Sequence, residues 1–126
     1  MFKRFDSQEE RRKAGGTCFI ELQFCLLPSG TPLKRIVSGN DHWRDDSLYV
    51  DGMGPFFSTY KDIFGEGVHQ NMTTGLLDTW GITYYAPGRI GDIQERASSI
   101  RPEGYEVLVA WLEEAKEYNG FYILGV

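Results

Sequence analysis

Between Ser38 and Ser47 the chain reads SGNDHWRDDS, its densest group of side chains able to do chemistry. Asp41, Asp45 and Asp46, with Asp51 just beyond, offer hard oxygen ligands, and His42 adds an imidazole. A hydrolytic or metal-assisted site needs such groups, one to take a proton and others to hold a cation or orient the base. The spacing matches neither a calcium-loop nor a zinc signature. Acidic residues between strands also serve simply as turn and cap residues. The other nucleophile candidates are weaker. Cys18 and Cys25 fall in a strand-like stretch and read as small buried hydrophobes, and the serines lie outside any G-x-S-x-G elbow. The glycines of GMGPFF, GEG and PGRIG match no phosphate-cradling pattern. A small hydrolase or metal-dependent enzyme using Asp41, His42, Asp45 and Asp46 is therefore the alternative. The first reading is a binding protein with no cofactor, no resident metal and no catalytic residue.

Two acidic surfaces suit binding. One is the same loop, where Trp43 and Arg44, types enriched at interface anchors, sit among Asp41, Asp45 and Asp46. The other lies in RPEGYEVLVAWLEEAKEYNG. At ~100° per residue, Tyr105, Leu108, Val109, Trp111, Leu112 and Ala115 fall on one side of a helix. Glu103, Glu106, Glu113, Glu114 and Glu117 fall on the other. Such a stripe is commonly just the solvated face of a helix. Here Glu–Lys pairs at i,i+4 are nearly missing, and like-charged neighbours cost a few tenths of a kcal/mol each. A cationic partner would offset that cost. The candidate contacts are thus Asp41, Trp43, Asp45 and Asp46, and Glu106, Glu113, Glu114 and Glu117.

The elements that must position these residues follow from pattern. Ser7 with Glu10 fits a capping box for a helix over 8–14, the alternative being a frayed terminus. Thr17 to Leu27 alternates as the best strand. After PSGTP, Leu33 to Ser38 is expected to return as an antiparallel strand. Leu48 to Asp51 reads as a third strand, and Phe56, Phe57, Tyr60, Ile63 and Phe64 recur at helical spacing. Val68 to Thr79 shows no clear period. Gly81 to Ala86 reads as a strand whose Tyr84 and Tyr85 belong in the core, together with Trp80. A short helix over 92–99 follows. A helix starting at Pro102 comes next, stopped by Asn119-Gly120, and then an apolar strand from Phe121 to Leu124. The predicted fold is α+β: one domain, 1–126, with helices covering one face of a largely antiparallel sheet and a final strand after the last helix.

With 126 residues, 41% hydrophobic, the chain can bury a core without disulfides or metals. A formal charge of -5 argues against direct nucleic-acid binding, which needs clustered Lys and Arg, and suits a basic protein partner. No apolar run approaches the ~18 residues of a membrane span, so a cytoplasmic location is expected. In size, charge and the segments GITYYAP, PEGYEVLVAWLEEA and NGFYILGV the chain resembles the small acidic immunity proteins that neutralise bacterial toxins. The resemblance covers about the last third. It implies a cytoplasmic protein that binds a cognate toxin domain, often a nuclease, and blocks its substrate site.

Overall fold

The computed structural model describes residues 1–126. Its seven strands are β1 (Phe2–Lys3), β2 (Ile20–Phe24), β3 (Leu48–Val50), β4 (Gly67–His69), β5 (Thr74–Gly75), β6 (Ile82–Tyr85) and β7 (Phe121–Leu124). They form one sheet in the order β1-β3-β2-β7-β6-β4-β5, with every neighbouring pair antiparallel. The helices are α1 (Gln8–Gly15), α2 (Leu33–Ile36), α3 (Met53–Phe64), α4 (Ile90–Ile100) and α5 (Tyr105–Ala115). The fold is the α+β single domain that the sequence predicts.

The alternation in β2 sorts the two faces. Ile20, Leu22 and Phe24 join Leu48, Val50, Phe121 and Ile123 under α3, α4 and α5 in the main core. Trp111 of α5 is its largest buried side chain, stacked on Phe24 at 4.4 Å and edge-on to Phe121 at 5.8 Å. The opposite face carries Glu21, Gln23, Cys25, Tyr49, Tyr84, Tyr122 and Leu124. Ile36 and Val37, at the end of α2, cover its apolar part. The loop before β3 and α1 cover its polar part. Ser7 caps α1 as its sequence announces, its Oγ accepting from Glu10 N at 3.2 Å.

Several expectations need correction. Leu33 to Ser38 is not a strand. Both edges of β2 are already taken, by β3 and β7, so a returning strand has nowhere to pair. Pro32 instead starts a helical turn, its carbonyl accepting from Arg35 N and Ile36 N. The last helix begins at Tyr105 rather than Pro102, because Gly104 turns left-handed at φ 79° immediately before it. The strand predicted over 17–27 is regular only from Ile20 to Phe24, which leaves Cys18 exposed while Cys25 is buried. The unassigned stretch 68–79 contains the hairpin of β4 and β5. Tyr84 and Tyr85 are buried as expected, but Trp80 is 72% exposed. Gly120, at φ 85°, allows the close approach of β7 to β6: a Cβ there would collide with Tyr85 O.

Five buried tyrosines each donate their hydroxyl to a main-chain carbonyl. These bonds are Tyr49 to Arg44 O, Tyr60 to Glu103 O, Tyr84 to Asn119 O, Tyr85 to Gly65 O and Tyr122 to Ile36 O. They tie loops to the sheet and to α3. Burial pushes the Tyr49 and Tyr84 phenols up to about 12, and raises those of Tyr60, Tyr85 and Tyr122 as well.

Two outcomes follow. Deleting Phe121 to Val126 removes the strand between β2 and β6 and is expected to abolish cooperative melting in circular dichroism. A truncated chain with a native, cooperative melt would refute the central role of β7. The raised phenols fix a sign at high pH. Folded values above the unfolded ~10 mean that their contribution is complete below pH ~10 and declines as pH rises toward ~12. The urea midpoint should therefore fall steeply across that interval, with phenolate absorbance rising together with unfolding.

Candidate functional site

The acidic loop is hung on two side chains of β2. Glu21 and Gln23 alternate onto the same face and are almost fully buried, at 0% and 1% exposure. Glu21 Oε1 accepts from Trp43 N at 2.8 Å, and Oε2 accepts from Arg44 N at 3.1 Å and Ser47 Oγ at 2.6 Å. Gln23 Nε2 donates to Glu21 Oε2 at 3.0 Å and to Asp41 O, while its Oε1 accepts from Asp41 N at 3.1 Å. A buried carboxylate is costly unless its lone pairs are met, and here main-chain and hydroxyl donors meet them. Trp43 is consequently held left-handed at φ 69°, a conformation that costs a non-glycine residue ~1 kcal/mol or more.

Trp43 itself is occupied. The Arg11 guanidinium lies 3.9 Å from its ring centroid, and Tyr49 is near-parallel on it at 6.2 Å. Arg11 is in turn fixed by Gln8 Oε1 at 2.7 Å and by Gly16 O. The indole thus closes the interior, and what the loop leaves outside is Asp41, His42 and Asp45. Asp45 Oδ1 accepts from Gln8 Nε2 at 2.8 Å. Asp46 is half-buried. Its Oδ2 pairs with Arg44 at 2.8 Å, its Oδ1 is buried without a partner, and its carbonyl accepts from Trp111 Nε1 at 3.1 Å. That last bond joins the loop to α5.

Glu106, Glu113 and Glu114 on α5 and Glu117 in the turn just beyond it are all exposed, but two of them are neutralised within the chain. Glu114 takes both Arg4 amino groups, at 2.7 and 3.2 Å. Glu113 pairs with Lys116 at 2.8 Å, which, with a Gln94 hydrogen bond, holds its carboxyl below the usual range. The stripe expected to lack compensating cations therefore keeps Glu103, Glu106 and Glu117 without ion pairs, the last two of them candidate contacts. The structure brings Asp46 and Trp111 together, with Glu114 one turn further along α5. Glu106 lies about 12 Å back along the helix axis.

Asp41, His42, Asp45 and Asp46 do not form a metal-ligand set, and no such set of His, Cys, Asp or Glu occurs elsewhere in the chain. His42 Nδ1 is 3.4 Å from Glu21 Oε1, with the imidazole partly exposed.

Two features escape sequence reasoning. Glu21 and Gln23 look like the polar residues of a half-exposed strand, and only polar residues two apart in an otherwise apolar run hint that something caps them. The other feature is an open cavity of about 430 Å³ lined by His69, Gln70, Asn71, Asp78, Gly81 and Ile82, with the exposed Trp80 between Asp78 and Gly81 in sequence. The turn residues of Asp78-Thr79-Trp80-Gly81 are the available signal that this tryptophan points out. No protein-family model, no curated protein and no solved structure matches the chain. No helix is long and apolar enough to cross a membrane.

Replacing Glu21 by Ala leaves the Trp43 and Arg44 amides and the Ser47 hydroxyl without their acceptor, at ~1 kcal/mol or more for each buried group. The Glu21→Ala variant should lose ~3 kcal/mol in urea denaturation. The same variant should show fast hydrogen exchange at the Trp43 and Arg44 amides, with the α5 amides still protected. Unchanged exchange at Trp43 and Arg44 would show that Glu21 does not hold the loop.

Proposed function

We propose that the protein is a non-enzymatic inhibitor, an immunity protein of the cytoplasm. It would bind a basic, nuclease-type toxin domain through its acidic surface and block that domain's active site. The carrying observation is the buried Glu21, which spends its acceptors on holding a loop that turns the carboxylates of Asp41 and Asp45, with His42, to the outside. A loop ordered before binding loses little conformational freedom on binding, so more of each contact appears as affinity. An acidic edge suits a cleft built for phosphates and speeds encounter with it. Asp41 and Asp45, which have no cation of their own, do this work on the loop, with Glu106 on α5 and Glu117 just beyond it. Asp46, Glu113 and Glu114 contribute less, because Arg44, Lys116 and Arg4 already neutralise them. Trp43 supports the loop from below. The enzymatic alternative has one observation in its favour, the orientation of His42 by Glu21, which would suit a general base.

The test uses a panel of basic nuclease toxin domains, with binding followed by interferometry at two salt concentrations and nuclease activity measured in parallel. One domain should be bound and inhibited in a 1:1 complex. Asp41→Lys with Asp45→Lys should slow association about tenfold and flatten its salt dependence. If charge reversal at Asp41 and Asp45, and separately at Glu106 and Glu117, left association unchanged, electrostatic docking would be wrong. Binding of none of the domains, with hydrolysis of a model ester lost in His42→Ala, would favour the enzyme.

A further inference from the structure

Helix α1 is built unlike the other helices. Glu9, Glu10, Arg11, Arg12 and Lys13 make most of it charged, and its only buried side chain is Arg11. A surface helix is ordinarily held by an apolar stripe, and a helix this short does not persist alone in water. What holds α1 is a few polar contacts, together with Phe5 just ahead of it. The Phe5 ring packs on Phe19 and Tyr49, with centroids 5.5 Å from each.

The polar contacts fall on candidate binding positions. Arg4 grips Glu114 with both amino groups, at 2.7 and 3.2 Å, and both side chains of this pair remain exposed. Gln8 Nε2 donates to Asp45 Oδ1 at 2.8 Å. The Arg11 guanidinium lies 3.9 Å from the Trp43 ring centroid. One segment, Arg4 to Gly16, therefore occupies Trp43, Asp45 and Glu114 at once. At two of these three places the occupying group is a guanidinium. Such a group stacks on a ring and takes a carboxylate with two parallel bonds, which an ammonium cannot do.

Under this segment lies an aromatic surface. Trp43 is near-parallel to Tyr49 at 6.2 Å, and Tyr49 is edge-on to Phe19 at 5.9 Å. The exposed carboxylates of Asp41 and Asp45 flank Trp43 in sequence. Large rings with a charged border are the usual centre of a tight interface. The segment's own hold on that surface is modest. An exposed ion pair contributes about 0–1 kcal/mol, and a cation on an indole roughly 1–2 kcal/mol. A partner that brings its own arginines replaces these contacts like for like.

We infer that the surface beneath α1, centred on Trp43 and Tyr49, is the docking surface for an arginine-bearing segment of the protein partner. That segment takes the place that Arg4 to Gly16 hold in the free protein, with β1 left in the sheet. This rests on the reading of the protein as a binder of a basic domain, and it supplies an aromatic centre that the outer carboxylates lack.

Displacement is testable first without the partner. Hydrogen exchange of the labelled full chain is followed by nuclear magnetic resonance under native conditions. The α1 amides from Arg11 to Gly16 should exchange at least about a hundredfold faster than those of β7, because the segment opens while the sheet stays closed. Arg4→Gln should speed α1 exchange about fivefold and leave β7 unchanged. An amidated Gly-Arg-Gly-Arg-Gly peptide at millimolar concentration should speed it saturably, about threefold, by binding the open form. The citrulline peptide, equal in shape but uncharged, should have no such effect at matched ionic strength. Exchange of α1 only at the rate of β7, or no saturable effect of the arginine peptide beyond that of the citrulline peptide, would each overturn the assignment. In a complex with a basic nuclease domain, α1 should lose its protection while the Trp43 amide keeps it. A domain that binds with α1 still protected removes the docking surface and leaves the inhibitor reading standing. Displacement of α1 by the arginine peptide, with no domain bound, leaves the docking surface and removes the inhibitor reading.

Discussion

Strand β7 is hydrogen-bonded along both edges, to β2 and to β6. It is also the last strand in sequence order. Without it the sheet is two unconnected pieces, β1-β3-β2 and β6-β4-β5, each with an open edge. Phe121 and Ile123 complete the core beneath Trp111, and Tyr122 and Leu124 complete the smaller cluster on the opposite face. Both faces thus depend on one four-residue strand. The closure is long-range, so its entropic cost falls late and must be met by burial of large rings. The stack of Trp111, Phe24 and Tyr118, with ring planes within 7° and 10° of parallel, provides part of it.

The same sheet determines why the acidic loop can be rigid. A strand with one face on the core is free to use the other, and β2 uses Glu21 and Gln23 as hooks for a main chain that makes no ladder of its own. The cost is a charge inside the protein and a tryptophan in a left-handed conformation. Replacing Glu21 by an apolar residue would serve stability only if the loop were also rebuilt, because the two amides would still lie in the interior. Retaining the carboxylate makes physical sense where the loop's shape matters for what it meets outside.

What the sequence made legible, and what it hid, divides along the same line. The alternation in β2, the Ser7 cap and the apolar side of α5 are local patterns, and each is found in the structure. The helix expected to run to Asn119-Gly120 ends earlier, at Ala115, and left-handed Gly120 instead closes the turn that leads into β7. The LKRIV stretch suits a strand by its apolar content, and only the sheet order reveals that β2 has no free edge. Trp80 suits the core by its type, since large aromatics are usually internal. Whether a turn throws such a residue inward or outward depends on what the distant end of the chain does, here Gly125 and Val126. The charges of α5 were read correctly as types but not as free charges. Arg4, the partner of Glu114, is 110 residues away in sequence.

That redistribution of charge alters what an acidic surface means in this protein. Three of the eight candidate positions, Asp46, Glu113 and Glu114, carry internal cations, and a fourth, Trp43, serves the interior. Of the candidate positions, Asp41, Asp45, Glu106 and Glu117 keep carboxylates without an ion pair, and these would supply the field that the proposed partner meets. Scattered single charges give orientation and encounter rate but little affinity, since water and salt screen each one. On the proposed reading, affinity would have to come from a desolvated centre rather than from these charges. A surface organised this way would use its charges for encounter, so that salt would act mainly on the rate of arrival, while the rate of departure would be set by whatever apolar contact the partner makes beside them.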